Sequence, residues 1–220
     1  MEDVDAAKRY ISLAKTHQTS GDLEQAKEYH QRALAIYLKT LGPEHVNTAR
    51  SYDSLATIHQ DLGDIEQAKE YQQRALAIYL KTLGPEHVDT ARSYDSLATI
   101  YQDLGDLELA KEYHQRTLVI YLKSLGPEHV NSARSYSSLA TIYQDLGDLE
   151  PAKEYHQRAL AIYLKTLGPE HETIARSYDS LATIYQDVGD LQRAMEYQQR
   201  ALEIYKVNTS SFFFVFSETG

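Results

Sequence analysis

Residues 91–132, ARSYDSLATIYQDLGDLELAKEYHQRTLVIYLKSLGPEHVNS, decide the fold because the same pattern recurs every 42 residues along the chain. Glycine keeps this interval at positions 21, 63, 105, 147 and 189, and Leu-Gly-Pro-Glu-His begins at Leu41, Leu83, Leu125 and Leu167. Self-similarity at a fixed period of this length is typical of repeat architectures. We therefore expect five repeats at about 7–48, 49–90, 91–132, 133–174 and 175–206, after a lead-in at 1–6 and before a non-repeat tail at 207–220.

Each repeat has the pattern of two amphipathic helices. In repeat three, Leu97 and Tyr101 belong to an apolar stripe at helical spacing. Gly105 is expected to end the first helix in the left-handed conformation, and Asp106 to cap the second. Gly126, followed by a proline, is expected to end the second helix. One helix pair cannot cover its own apolar side, so the sequence predicts an all-α fold in which about five pairs stack as an α-solenoid.

The composition argues against several classes of function. The chain has 220 residues, a formal net charge of −10 and no cysteine. A field of that sign repels phosphate backbones, so no nucleic acid is expected as a partner. Disulfides and thiolate metal sites are excluded. No apolar run approaches the roughly 20 residues that span a bilayer, so no membrane is expected as a partner. The 18 tyrosines fall mostly in the apolar stripes, which predicts core packing rather than a platform for stacking bases.

The recurring histidines do not predict a metal site or a catalytic site. Equivalent positions in a stacked array lie one repeat apart, so they do not converge on one ion at about 2 Å. We expect each linker histidine to pack over the start of a helix: His45, His87, His129 and His171. On the second helices, His114 and His156 alternate with Gln72 and Gln198, which indicates a hydrogen-bonding role. No nucleophile, base or phosphate loop stands out, so we predict no catalysis and no cofactor.

These repeats resemble the tetratricopeptide repeat. Its signature intervals appear in repeat two at Tyr52, Leu55, Ala56, His59, Gly63, Ala68 and Ala75. The longer period, with Arg-Ala-Leu-x-Ile-Tyr and Leu-Gly-x-x-His, is similar to the branch that includes kinesin light chains and nephrocystin-like proteins. The resemblance covers residues 7–206. It implies a right-handed solenoid that is a protein-interaction scaffold, in the cytoplasm and associated with the cytoskeleton or the cilium. The near identity of repeats two to four favours recent duplication within a longer array.

In the resembling family, the first helices line a concave groove that holds a peptide. The matching positions here lie opposite the apolar stripe and repeat as a ladder of polar side chains. Gln and Thr can donate to and accept from a peptide main chain, and Arg can pair with a carboxylate through two bonds. The predicted peptide-binding positions, called the ladder residues below, are Lys8, Lys15, Arg50, Asp53, Thr57, Gln60, Arg92, Asp95, Thr99, Gln102, Arg134, Ser137, Thr141, Gln144, Arg176, Asp179, Thr183 and Gln186.

The ladder has further interpretations. Arginine and aspartate three residues apart on a helix can simply pair with each other, at roughly 0.2–0.5 kcal/mol. In repeat four Ser137 replaces the aspartate and removes that pair, so Arg134 is predicted to anchor an acidic side chain or a terminal carboxylate. The chaperone-type mode, which holds a terminal carboxylate through lysines, arginine and asparagines, is matched here only by Lys8 and Lys15.

The tail at 207–220 differs from the repeats. It holds all four phenylalanines and has the composition of a strand-forming, aggregation-prone window. Three interpretations compete: an extension foreign to the native protein, a segment that folds over the last helix pair, or a tag that contacts a partner or a membrane.

The leading functional prediction is a non-catalytic scaffold that binds a protein or peptide ligand of unknown identity in the groove. One alternative is a cargo or ciliary adaptor like kinesin light chain or nephrocystin, which the resemblance alone implies. Another is a structural array that self-associates end to end, because exposed terminal repeats can stack on one another. The last is a regulatory fragment of a larger multidomain protein.

Overall fold

The computed structural model describes the backbone of residues 3–217 and the side chains of residues 3–208. These residues form helices joined by turns, and no strand occurs among them. The all-α class is therefore confirmed. The helices are α1 (Val4–Thr19), α2 (Leu23–Thr40), α3 (Val46–Asp61), α4 (Ile65–Thr82), α5 (Val88–Asp103), α6 (Leu107–Ser124), α7 (Val130–Asp145), α8 (Leu149–Thr166), α9 (Glu172–Asp187) and α10 (Leu191–Ser217).

The helices pack as consecutive pairs within two compact halves, which divide inside α6 between Ile120 and Tyr121. In the N-terminal half, α1 packs on α2 and α3 on α4, while α2 contacts α3 and α4 contacts α5. In the C-terminal half, α7 packs on α8 and α9 on α10, while α8 contacts α9. The predicted stacking of one helix pair on the next is thus confirmed within each half.

The predicted helix ends in repeat three are confirmed. Gly105 and Gly126 have φ angles of 79° and 93°, in the left-handed region that glycine adopts without a steric penalty. Asp106 Oδ1 accepts from the backbone N–H of Leu109 at 3.2 Å and so caps α6. The linker histidine also lies over a helix start, as predicted. His87 is the N-cap of α5, and its Nδ1 accepts from the backbone N–H of Asp89 at 3.0 Å.

A hydroxyl closes each of three linkers, a feature that the sequence analysis missed. Thr48 Oγ1 donates to the carbonyl of Gly42 at 2.8 Å, and Thr90 Oγ1 donates to Gly84 at the same distance. In the next linker, Ser132 Oγ donates to Gly126 at 2.8 Å. These bonds tie the first turn of a helix to the glycine that ends the preceding one.

Alanine and tyrosine build the core of each pair. In repeat two, Ala49, Ala75 and Tyr79 form a buried cluster between α3 and α4. The small alanines let the two helices approach closely enough for these contacts. The rings of Tyr52 and Tyr71 stack with centroids 5.9 Å apart. The prediction that tyrosines pack in the core is therefore confirmed for Tyr79, whereas Tyr52 and Tyr71 are half-buried.

Helix α10 continues past the end of the repeat pattern and reaches Ser217. The strand-like composition of the tail is therefore misleading for residues 207–217. An existing helix adds one bond for each residue that joins it, which makes continuation easier than a change of structure. The phenylalanine side chains and residues 218–220 lie outside the described part of the chain, so the three interpretations of the tail stay predictions. Over the described residues, no helix combines the length and apolarity needed to cross a bilayer.

Candidate functional site

The arginine and threonine ladder residues lie exposed on the first helices, α3, α5, α7 and α9. The threonines use their hydroxyl hydrogens within their own helix. Thr57 Oγ1, for example, donates to the carbonyl of Asp53 at 3.1 Å, and Thr141 Oγ1 donates to that of Ser137 at 3.2 Å. Their oxygens can still accept a bond from a ligand.

Arginine and aspartate of the ladder do not pair with each other in repeats two and three. The guanidinium of Arg50 lies 3.4 Å from Asp89 at the start of the next first helix, α5, and that of Arg92 lies 3.1 Å from the same carboxylate. Arg50 therefore does not pair on its own helix. Arg92 pairs with an aspartate three residues away on its own helix, but that residue is Asp89 and not the ladder residue Asp95. Because the ladder aspartate is not the partner of either arginine, its replacement by Ser137 does not explain the role predicted for Arg134.

The ladder aspartate instead faces the second helix of its own repeat. Asp53 Oδ1 accepts from Gln72 Nε2 at 2.7 Å, and its Oδ2 accepts from the hydroxyl of Tyr79 at 2.6 Å. Gln72 Nε2 also donates to Ser93 Oγ of the next first helix, at 2.8 Å. Burial raises the pKa of Asp53 to about 6, although the bonds from Tyr79 and Gln72 favour the ionised form. Burial and the neighbouring carboxylate of Asp53 raise the pKa of Tyr79.

The same arrangement recurs at this register position in two other repeats. In repeat three, Asp95 Oδ1 lies 3.2 Å from Nδ1 of the buried His114. In repeat five, Asp179 Oδ2 accepts from the hydroxyl of Tyr205 at 2.8 Å. A carboxylate on the first helix thus meets polar groups of the second helix in these repeats. We call this place the aspartate position.

Repeat four differs because Ser137 holds the aspartate position. A cavity of about 540 Å³ opens between α7, α8 and α9. We call it the repeat-four cavity. Its lining includes the ladder residues Arg134, Ser137, Thr141 and Arg176, together with His156 and Tyr163 of the second helix. The cavity is in the size range of natural ligand pockets.

The two second-helix residues of the cavity are neutral hydrogen-bonding groups. His156 is only 3% exposed, and its Nε2 has no hydrogen-bond partner. Burial lowers the pKa of His156 to about 4, so the ring is neutral at pH 7. Burial raises the pKa of Tyr163, against the effects of a bond to Ser137 and of the charges on Arg134 and Arg176. The hydroxyl therefore keeps its proton, and two guanidinium charges act on the same site.

The remaining ladder residues are not brought into this cavity. Gln60 donates to Asp103 of the following first helix. Lys8 pairs with Asp5 at 2.9 Å on its own helix. Lys15 is exposed, and its charge adds to burial in lowering the pKa of His30 to about 4.

Four of the predicted peptide-binding positions line the cavity, but the sequence analysis predicted neither the cavity nor its floor. The alternation of histidine with glutamine had indicated a hydrogen-bonding role at the position of His156. The helical spacing of the tyrosines predicts core packing, so it gives no sign that Tyr163 lines a cavity. The available signal was that Ser137 stands where repeats two, three and five have Asp53, Asp95 and Asp179, while tyrosines recur at a fixed distance further along the chain.

The fold and its surface define an α-helical repeat protein. Among the described residues, no three His, Asp or Glu side chains are grouped so that they could hold a metal ion. The model of the tetratricopeptide repeat family matches residues 5–81, 54–123, 89–165 and 139–206. The chain belongs to the tetratricopeptide repeat family, as predicted.

Solved structures agree with this assignment. A kinesin light chain-like protein of Podosopora anserina, built of nearly identical TPR-like repeats, is 32% identical, with a TM-score of 0.80 over 94% of this chain and 99% of that one. A variant of that same protein gives 30% identity and a TM-score of 0.82, over 96% and 99%. BtubC (BKLC) from P. vanneervenii matches with 24% identity and a TM-score of 0.82, over 94% and 88%, and shows the fold alone. The predicted similarity to kinesin light chain repeats is confirmed. No curated protein matches the sequence significantly.

Proposed function

We propose that this chain is a non-catalytic scaffold that binds a peptide or protein segment along the exposed side of its first helices. The observation that carries the proposal is the repeat-four cavity, which is lined by ladder residues of two successive first helices. Arg134 and Arg176 offer charged donors there, and Thr141 offers a hydroxyl oxygen. Membership of the tetratricopeptide repeat family supports a role in protein interaction, and we propose a cytoplasmic location.

To test the function, a peptide ligand is first identified. Its affinity is then measured for variants with substitutions at ladder residues. The purified chain is screened against a peptide array, and the retained peptides are titrated by fluorescence anisotropy. Arg134→Gln removes a charge beside the cavity, while Arg158→Gln removes an exposed charge of the second helix in the same repeat. We expect the first variant to weaken binding by about tenfold, the effect of one charge-assisted bond, and the control to stay near wild type. Equal affinities for both variants would refute a ligand site on the first helices.

The adaptor role for cargo or the cilium is a narrower form of the same proposal. Similarity to a kinesin light chain-like structure supports it. Capture of a motor or ciliary protein by the wild-type chain, and its loss with Arg134→Gln, would favour this form.

Self-association is a second candidate, and the apolar surface of α10 favours it. Leu191 and Met195 are 61% and 69% exposed, and Leu202 is 45% exposed. Large exposed apolar side chains in one region are typical of interaction surfaces. Light scattering over a range of concentrations distinguishes this candidate from the first. A mass that rises with concentration, and returns to that of one chain on Met195→Glu, would support self-association, whereas a constant mass would refute it.

A further inference from the structure

The aspartate position is filled by the chain itself in repeats two, three and five. In repeat two, the carboxylate of Asp53 receives a bond from an amide and a bond from a phenol, both of them on the second helix. In repeat five, Asp179 receives the bond from Tyr205. The second helix therefore presents donors that are matched to a carboxylate.

Repeat four keeps those second-helix groups and lacks the carboxylate. His156 stands where repeat two has Gln72, and Tyr163 stands where it has Tyr79. Serine is shorter than aspartate and uncharged, and a cavity opens at this place. His156 Nε2 is buried and has no hydrogen-bond partner, as is also true of one ring nitrogen in His30 and in His114 at the same register. The feature specific to repeat four is therefore the missing carboxylate and the cavity in its place.

The charges around the cavity favour an anion. Arg134 and Arg176 both line it, from successive first helices, and both act on the buried hydroxyl of Tyr163. His156 is neutral, so one of its ring nitrogens carries a proton and can donate. In repeat three the ring nitrogen that meets the aspartate position is Nδ1 of His114. Two guanidinium groups at the rim and two neutral donors at the floor match the bonding pattern of one carboxylate.

We infer that the repeat-four cavity is a carboxylate subsite, in which an acidic side chain or a terminal carboxylate of a bound peptide takes the place that Asp53, Asp95 and Asp179 hold in their own repeats. The ligand carboxylate accepts from Tyr163 and His156 at the floor and pairs with Arg134 or Arg176 at the rim. This inference rests on the proposed function for its biological meaning. The chemistry of the subsite can be tested without a known peptide.

The test uses small probes and the whole chain. The Cε1–H resonance of His156, assigned by its loss in His156→Gln, is followed by NMR during titration. N-acetyl-glutamate amide supplies a side-chain carboxylate and N-acetyl-alanine a terminal one, while N-acetyl-glutamine amide is the neutral control. We expect a saturable shift with at least one carboxylate probe and binding weaker by about tenfold or more with the amide control. Equal responses to the carboxylate and amide probes would overturn the inference.

Two variants at residue 137 provide the matched control. Ser137→Asp restores the residue of the neighbouring repeats, which fold with it, and should abolish the response by occupying the subsite internally. Ser137→Ala leaves the cavity open and should keep the response. Carboxylate binding that survives Ser137→Asp would refute the subsite. A peptide from the array that loses affinity with Arg134→Gln but not with Ser137→Asp would refute it as well, while leaving the scaffold function intact.

Discussion

Replacing His30 by glutamine should make the protein less sensitive to mild acid. His30 is 2% exposed, and its pKa is lowered from 6.5 to about 4, first by burial and then by the charge of Lys15. Between these two values the unfolded chain binds a proton that the folded chain does not. Stability from this residue is therefore complete above pH 6.5 and is lost as the pH falls towards 4. Glutamine is a suitable replacement because Gln72 holds the same register position in repeat two.

The size of the effect follows from the two pKa values. Their separation corresponds to about 3.4 kcal/mol when the loss is complete, and to about 2 kcal/mol at pH 5. Asp53 acts in the opposite direction, because its raised pKa gives stability that is present at low pH and lost as the pH rises through about 6. The comparison between wild type and variant removes that contribution, since both proteins contain Asp53.

The assay is urea unfolding followed by circular dichroism at pH 7.5 and pH 5.0. The unfolding free energy of the wild type should fall by about 2 kcal/mol more than that of His30→Gln over this interval. His156→Gln should show a similar difference, because the pKa of His156 is also lowered to about 4. An NMR titration of the His30 Cε1–H signal gives a direct check. Titration near 6.5, or parallel losses of stability in wild type and variant, would refute the argument.

Three further predictions concern single structural elements, and urea unfolding at pH 7.5 measures each. Gly105→Ala should lower the free energy of unfolding by roughly 1–2 kcal/mol, because φ at this position is 79°. No neighbouring atom lies within 4 Å of an added Cβ, so the change measures backbone strain alone. An unchanged free energy would contradict the assigned conformation. His87→Ala should cost roughly 0.5–2 kcal/mol through loss of the N-cap bond, whereas His87→Asn should recover most of it. Asp53→Ala should cost roughly 1–3 kcal/mol for each buried donor left without a partner, at Tyr79 and Gln72. A cost below 0.5 kcal/mol, roughly that of an exposed substitution, would show that these bonds contribute little.

Much of the fold could be predicted because the residues that end and cap the helices recur at the same positions in successive repeats. The glycines that end helices and the aspartate at Asp106 act locally, so sequence spacing was enough to place them. The linker histidines could also be placed, since the start of a helix is a local feature. The continuation of α10 could not be predicted, because the composition of residues 207–217 favours a strand. The helix continues instead, since each residue added to an existing helix gains one backbone hydrogen bond.

The candidate site was harder to predict because it depends on contacts between helices. Position alone suggested that Asp53 is exposed opposite the apolar stripe, yet its carboxylate reaches Tyr79, 26 residues further along. The partner of Arg50 could not be predicted either, because Asp89 lies on a different helix, α5. A helical wheel shows which side a residue occupies but not which neighbouring helix it meets. The cavity around Ser137 could not be predicted, because its walls come from three helices, α7, α8 and α9, that are distant in sequence.

The doubly bonded amide of Gln72 bears on how the array comes apart. It holds Asp53 within its own repeat and Ser93 in the following one, so opening either contact leaves a buried amide hydrogen unsatisfied. The contact within repeat two and the contact with the next first helix therefore depend on the same Gln72 side chain. This coupling raises the cooperativity of unfolding between repeats two and three. Gln198, at the same register in repeat five, is exposed to solvent. Amide hydrogen exchange should consequently be slow around Gln72 and fast around Gln198, with fraying that begins at the last helix pair.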